Sequence, residues 1–200
     1  MTIATDAGTE TRAKRLRAAT SAAHERVDHA VMAANPFADR ESYARFLRFQ
    51  YRLHRHVEPL YADPAMHALL PDLLMRSRLA ALEQDLADLG LAPPDAAFGP
   101  CLPQAEALGW LYVVEGSNMG AAFLAKDAAK IGFSDTFGAR HLAGHPEGRG
   151  LHWRRFTAAL DAVELDEDGE RAAERAACAA FDHVLGLIGD ELGPEGAGSR

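Results

Sequence analysis

The sequence predicts an all-α protein folded as a single domain. Apolar residues recur at spacings of three and four along nearly the whole chain, which is the period of an amphipathic α-helix. Runs of β-branched residues bounded by turn signals, which would predict strands, are missing. The chain has 200 residues, 48% of them hydrophobic, and its composition does not shift along its length. We therefore expect one well-buried core and no second domain.

Proline, glycine and capping residues mark where the predicted helices begin and end. Pro36 ends the first helix, because a residue that precedes proline avoids the helical conformation. Asp39 is a favourable N-cap for the second helix. Gly90 and Gly132 end the third and fourth helices, and Pro71 predicts a bend within the third. The predicted helices cover residues 12–34, 39–61, 66–89, 104–130, 135–142, 151–163 and 167–192.

Composition and charge exclude several classes of function. The formal net charge of -8 argues against a nucleic-acid-binding surface, which would show clustered lysine and arginine. No stretch approaches the roughly 20 apolar residues needed to span a bilayer, and the first residues contain no apolar core of a signal peptide. We expect a cytoplasmic monomer that binds neither nucleic acid nor membrane, with flexible tails at 1–11 and 193–200 around a domain at 12–192.

Two glycines interrupt the fourth predicted helix and are the most informative feature of the chain. Gly116 and Gly120 lie four residues apart, on one face of an otherwise strongly apolar helix. An interior glycine costs about 1 kcal/mol relative to alanine. The pair therefore indicates that a ligand approaches the backbone, that the helix bends, or that another helix packs closely there. The spacing alone leaves all three open.

His24 is the candidate metal ligand on the first helix. Leu16, Thr20 and Val27 recur at helical spacing and predict that His24 lies on the inward face. Asp28, one turn later, is placed to accept a hydrogen bond from Nδ1, which would leave Nε2 free to bind a metal. A lone histidine on an apolar face is more often a packed residue than a ligand. Together with the glycine pair, however, it suggests a slot for a flat, largely apolar cofactor.

Five segments of the chain together resemble bacterial haem oxygenases. The resemblance covers about residues 12–190 and is strongest to the biliverdin-forming branch of Gram-negative bacteria. It implies a helical bundle in which haem, both cofactor and substrate, lies between a proximal first helix and a distal helix kinked at glycines. The segments are 21–28 (SAAHERVD), 36–38 (PFA), 58–61 (EPLY), 106–122 (EALGWLYVVEGSNMGAA) and 137–142 (FGARHL).

The resemblance implies roles for residues on both sides of the haem. His24 becomes the axial ligand of the iron, and Phe181 becomes a candidate wall of the pocket. Gly116 and Gly120 let the distal helix cross close to the haem, so that bound dioxygen is bent toward one meso carbon. Ordered water delivers protons, with Ser117 and Asn118 as candidate partners. In mammalian relatives an aspartate stands where this chain has Ser117, so the water network is expected to differ.

Two further residues are candidates for binding the haem propionates. Arg17 lies two turns before His24, and Tyr112 lies one turn before the first distal glycine. A cation and a hydroxyl there would compensate carboxylates that emerge from an apolar slot. Relatives that cleave at the δ or β position carry lysines where this chain has Met32 and Asp127. The resemblance therefore favours cleavage at the α position.

Three classes of function compete. The first is a haem oxygenase that opens haem to biliverdin and releases ferrous iron and carbon monoxide, using O2 and electrons from a ferredoxin or a flavin reductase. The second is a haem carrier or sensor that does not degrade its ligand. The third is a thiamin-degrading relative, which is disfavoured because neither Cys101 nor Cys178 lies beside a carboxylate cluster. The glycine pair favours the first.

The remaining histidines show no convincing metal-binding pattern. His141 and His145 are four residues apart, but glycine and proline break any helix between them. His54 and His56 are two apart, which points their rings to different sides of a helix. We expect these four histidines to lie on the surface.

Overall fold

The structure is a computed structural model that describes residues 10–193, and it consists of helices joined by turns. No β-strand occurs within this range, so the predicted all-α class is confirmed. A single 3-10 turn covers Arg140–Leu142. The helices are α1 (Arg12–Ala34), α2 (Arg40–Ala62), α3 (Pro64–Leu69), α4 (Leu73–Arg76), α5 (Leu79–Asp88), α6 (Gln104–Lys130), α7 (Arg149–Ala162) and α8 (Glu167–Leu192).

Local capping explains where the long helices start and stop. The Asp39 carboxylate accepts a hydrogen bond from the Ser42 backbone N–H at 2.7 Å, and Asp166 caps α8 in the same way. Asn35 ends α1 in the left-handed conformation, with φ of 45°. Of the predicted tails, residues 1–9 and 194–200 lie outside the described residues. Thr11, assigned to the first tail, is the N-cap of α1.

Two of the predicted helices are wrong. The helix predicted over 66–89 is divided into α3, α4 and α5. Pro71 lacks a backbone donor and Asp72 adopts a left-handed φ of 67°, so the chain turns there rather than bending. The helix predicted over 135–142 is reduced to its final 3-10 turn, because Gly138 adopts a φ of 74° that a helix excludes.

Helix α8 is the support on which the other long helices pack. It contacts α1, α2 and α6 along its length. Gly109 of α6 lies directly against the backbone of Ala173 and Ala177 on α8. A Cβ placed on Gly109 would lie 2.2 Å from the Ala173 carbonyl oxygen, a distance that real side chains do not adopt. Small residues on both helices therefore set how closely α6 approaches α8.

Two ion pairs, one of them built on a buried arginine, fasten the start of α1 to the start of α8. The guanidinium of Arg12 is buried and lies 2.6 Å from a carboxylate oxygen of Glu170. The same side chain donates to the Val163 carbonyl oxygen at 2.7 Å. Arg15 pairs with Glu174 at 2.8 Å. These contacts fix the register of α1 along α8. Among the described helices, none is long and apolar enough to cross a membrane.

Replacing Gly109 with alanine tests the close contact between α6 and α8. The added methyl group has no space beside the Ala173 carbonyl, so α6 must move away from α8. We expect Gly109→Ala to lower the free energy of unfolding by about 1–3 kcal/mol, the range for overpacking. Urea denaturation measures the change. Gly120→Ala is the matched control, because no atom lies within 4 Å of a Cβ there and alanine is the better helix former. Equal stability of the two variants would contradict this account of the packing.

Candidate functional site

His24 presents its imidazole at the open edge of α1. Its Nδ1 lies 3.0 Å from a carboxylate oxygen of Asp28, the contact that the spacing predicted. The ring meets the buried ring of Phe181 edge to face, with centroids 5.9 Å apart. Phe181 therefore lies beneath the imidazole as part of the core. With Nδ1 engaged by Asp28, Nε2 is the nitrogen left to bind a ligand.

The prediction that His24 lies on the inward face is wrong. Leu16 and Thr20 are buried, but the His24 side chain is 62% exposed. The physical reason is that α1 packs mainly on α8, so the flank that carries His24 is not covered by another helix.

Neither distal glycine of α6 lies in a contact that is too tight for a side chain. A Cβ on Gly116 would meet the Trp153 ring at 3.5 Å, which is an ordinary van der Waals contact. A Cβ on Gly120 would meet nothing within 4 Å. Close packing of another helix, one of the alternatives that the sequence left open, is therefore not the reason for this pair. That role belongs to Gly109, and α6 remains helical through all three glycines.

Large apolar side chains are exposed beside these glycines. Phe123, two turns beyond Gly116 on the same face, is 71% exposed, and Met119 is 40% exposed. Exposed apolar surface next to bare backbone is typical of a site that binds an apolar ligand.

Arg17 and Tyr112, the two candidates for binding the propionates, lie on α1 and α6. Tyr112 is half-buried on α6, with its ring 5.6 Å from that of Trp153. Burial raises the pKa of the Tyr112 hydroxyl, and the positive charge of Arg17 partly opposes that rise. Arg17 therefore acts electrostatically on the Tyr112 hydroxyl.

Ser117 and Asn118 make backbone contacts next to the first distal glycine. The Ser117 hydroxyl is exposed and donates to the Val114 carbonyl oxygen at 2.7 Å, which leaves its oxygen free to accept. The backbone carbonyl of Asn118 accepts a hydrogen bond from Arg149 at 2.9 Å. These contacts hold the turn of α6 that follows Gly116.

A buried carboxylate that the sequence analysis missed lies directly before Gly116. Glu115 accepts a hydrogen bond from the Tyr61 hydroxyl at 2.7 Å and pairs with Arg76 at 2.9 Å. The side chains of Glu115 and Arg76 are each only 2% exposed. Burial raises the pKa of Glu115, an effect opposed by Tyr61 and Arg76. The only signal in the sequence was a charged residue inside the apolar run of α6, since Arg76 reaches it from a separate helix.

Two histidines that were predicted to lie on the surface are buried. His54 and His141 are 5% and 4% exposed, so the prediction is wrong for both. His141 Nδ1 lies 2.8 Å from a carboxylate oxygen of Asp85, a partner distant in sequence that no local pattern reveals. Burial lowers the pKa of both histidines, to about 3 for His54. Within residues 10–193 no three potential metal ligands cluster.

The fold and site together define an all-helical protein with exposed apolar side chains on α6 and one exposed histidine on α1 that is paired with an aspartate. The family model described as Heme oxygenase matches residues 10–98 and 99–188. The chain therefore belongs to the haem oxygenase family of enzymes.

Individual relatives agree with this assignment. The chain is 44% identical over 180 residues to heme oxygenase PigA of Pseudomonas aeruginosa, covering 88% of this chain and 91% of the relative. It is 34% identical over 161 residues to a heme oxygenase of Xanthomonas campestris, covering 78% and 94%. The NO- and CO-bound heme oxygenase of Neisseria meningitidis superposes with a TM-score of 0.88 at 42% identity, with 92% of each chain covered.

The residues present fit haem. The exposed imidazole of His24 can bind iron, and the α6 backbone is open at Gly120, where no atom lies within 4 Å of an added Cβ. Phe123 offers apolar contact, and the Arg17–Tyr112 pair offers partners for two carboxylates. The donor set thus matches an apolar macrocycle that carries a metal and two propionates.

Removing the Arg76 charge tests whether Glu115 depends on it. Arg76→Met leaves a carboxylate buried without its cation, so we expect a loss of about 3–5 kcal/mol in the free energy of unfolding. Adding Glu115→Leu to that variant removes the uncompensated charge and should recover part of the loss. Urea denaturation measures both, and the exposed Arg175→Met is the control, with an expected change within about 0.5 kcal/mol. If Arg76→Met were as stable as Arg175→Met, the pairing of Arg76 with Glu115 would contribute nothing to stability.

The buried histidines predict acid sensitivity. Because the pKa of His54 falls from 6.5 to about 3 on folding, the unfolded chain binds a proton that the native chain excludes between those values. The contribution of His54 to the free energy of unfolding is fully present above pH 6.5. It is lost as the pH falls, by at most about 1.4 kcal/mol per pH unit for each such histidine. His54→Leu should reduce the dependence of the free energy of unfolding on pH between 7 and 5. The exposed His29→Leu should leave it unchanged, and equal slopes in all three proteins would refute the assignment.

Proposed function

We propose that this haem oxygenase opens haem to biliverdin and releases ferrous iron and carbon monoxide, with O2 and electrons from a ferredoxin or a flavin reductase. The observation that carries the proposal is the pairing of His24 with Asp28 at 3.0 Å, which orients an exposed imidazole. Haem, when bound, supplies both the iron at which dioxygen is reduced and the ring that is cleaved. A neutral imidazole ligand, unlike a thiolate, does not push electron density strongly toward O–O cleavage.

His24 is proposed as the axial ligand, held by the residues that surround it. Asp28 lies 3.0 Å from Nδ1, and we propose that it would accept a hydrogen bond from that nitrogen and leave the lone pair on Nε2 for the iron. Phe181 supports the ring from below, where it is packed in the core. Because α1 is fastened to α8 by ion pairs, the imidazole is presented from a rigid support.

Helix α6 is proposed to form the opposite wall and to limit where dioxygen can lie. Without side chains at Gly116 and Gly120, the helix backbone itself faces the ligand. Ser117 and Asn118 are proposed to hold the ordered water that delivers protons, since the Ser117 oxygen can still accept a hydrogen bond. The Neisseria relative is described as binding NO and CO, which supports a site built for diatomic ligands.

The propionates are proposed to lie at Arg17 and Tyr112, which sets the orientation of the ring. The charge of Arg17 lowers the pKa of the Tyr112 hydroxyl against the effect of burial, which supports a shared role for the two groups. With these partners, and without lysine at Met32 or Asp127, the proposed product is the α isomer of biliverdin.

Turnover of haem tests the reaction and separates it from the alternatives. Purified protein is mixed with hemin, and a mild reductant is added in air with catalase present. We expect a Soret band that decays into biliverdin, with the α isomer identified by chromatography. A stable Soret band that survives repeated reduction would instead show a carrier or sensor. The thiamin-degrading alternative requires a cysteine beside carboxylates, whereas Cys178 Sγ contacts the Ala19 carbonyl oxygen and Cys101 lies exposed in the loop before α6.

The ligand role of His24 is tested by two histidine variants of one helix. His24→Ala removes the proposed ligand, so we expect at least a tenfold loss of turnover and an altered Soret band. His29→Ala is the matched control, because His29 is also an exposed histidine of α1. Unchanged spectra and turnover in His24→Ala would refute the assignment. Production of another isomer would overturn the regiochemistry alone.

A further inference from the structure

A small polar cavity lies behind α6, among the α4–α5 junction, α6 and α7. Its volume is about 10 Å³, close to the space that one water-sized particle occupies. Arg76 and Arg78 line it from the α4–α5 junction, Glu115 from α6, and Arg149 and His152 from α7. None of the nine proposed haem-site residues except Asn118 lines this cavity.

The walls of the cavity carry more positive charge than negative charge. Three guanidinium groups face one carboxylate, and that carboxylate, Glu115, is already paired with Arg76. Arg149 donates instead to two backbone carbonyl oxygens, those of Asn118 and Leu142. Neither Arg78 nor Arg149 forms an ion pair with a carboxylate anywhere in the described part of the chain. Two cations at this cavity therefore have no counter-charge.

Two arginine donors at the cavity are buried without an acceptor. The Nε–H groups of Arg76 and Arg78 have no hydrogen-bond partner. Arg76 is only 3% exposed as a whole residue, so its Nε cannot turn to bulk solvent. A buried charged donor without an acceptor costs free energy comparable to a lost hydrogen bond or more.

The excess of positive charge lowers the pKa values of neighbouring groups. Burial, followed by the charge of Arg76, lowers the pKa of His152 to about 4, so its imidazole is neutral at pH 7. Burial lowers the pKa of Arg149, and the charge of Arg78 lowers it further. The cations thus repel one another across a space that only a small particle can enter.

We propose that this cavity, bounded by Arg76, Arg78 and Arg149, binds one small monovalent inorganic anion of halide size. Such an anion accepts the unpaired Nε–H donors and supplies the missing counter-charge. A monatomic anion fits the volume, whereas a sulfate or a phosphate does not.

The cavity lies next to the turn of α6 that follows Gly116. Arg149 donates to the Asn118 carbonyl oxygen, and Arg76 holds Glu115, so the cations that bind the anion also hold α6 on either side of residues 116 and 117. Occupancy of the cavity would therefore hold α7 against α6.

Chloride itself is the probe for the test. The line width of the ³⁵Cl NMR resonance is measured with the haem-free full-length chain and its variants, whose helical content is verified by circular dichroism. We expect excess broadening with the parent protein and at least a fivefold loss of it in Arg78→Met. Arg78→Lys retains the charge and should keep a measurable part of the broadening, which separates loss of the site from misfolding. The exposed Arg175→Met should broaden chloride as the parent does.

Two results would overturn the proposal. If the parent gives no excess broadening, or Arg78→Met broadens chloride equally, the cavity binds water alone. If the broadening is lost in Arg17→Met but kept in Arg78→Met, the anion lies at the proposed propionate partners instead. A crystal soaked in bromide supplies the position: an anomalous peak in the cavity supports the site, and peaks confined to the surface contradict it. Neither measurement uses haem, so the outcome of both is independent of whether the proposed reaction is correct.

Discussion

The close contact between α6 and α8 is the constraint on which the rest of the structure depends. Gly109 brings the backbone of α6 against that of Ala173 and Ala177 on α8. Because α1 packs on the same helix, α8 sets the separation between the two elements that carry the site. Only their flanks beyond α8 remain open, and these flanks carry His24 and Gly120.

Charged groups inside the bundle specify how its parts are arranged. Arg12 with Glu170 fastens α1 to α8, and Arg76 with Glu115 fastens α6 to α4. Buried pairs of this kind add little net stability compared with apolar packing, because each ion loses its hydration. They penalise any arrangement that separates the partners, however, and so they favour a single register. Here that register leaves the α6 backbone open at Gly120.

The site combines a rigid support with an exposed reactive face. His24 is exposed, but its ring is held by Asp28 and supported by Phe181, so its orientation does not depend on a ligand. On α6, the polar groups Glu115 and Asn118 are held from the side away from the proposed haem, by Arg76 and Arg149. The same arginines create the positively charged cavity behind the helix. Positioning of the distal backbone and the electrostatics of that cavity therefore share one set of side chains.

Local sequence determined the elements and the candidate residues, and tertiary structure determined what covers them. Helical periodicity and capping residues predicted α1, α2, α6 and α8 and the i,i+4 contact of His24 with Asp28, because these depend on neighbours along one helix. The exposure of His24 and the burial of His54 and His141 depend on which helices meet. So does the pairing of Glu115 with Arg76, which are 39 residues apart and on separate helices. Periodicity in the sequence predicts which face of a helix is apolar, but it does not predict which helix packs on that face. The close contact of Gly109 with α8 could therefore be recognised only from the tertiary structure.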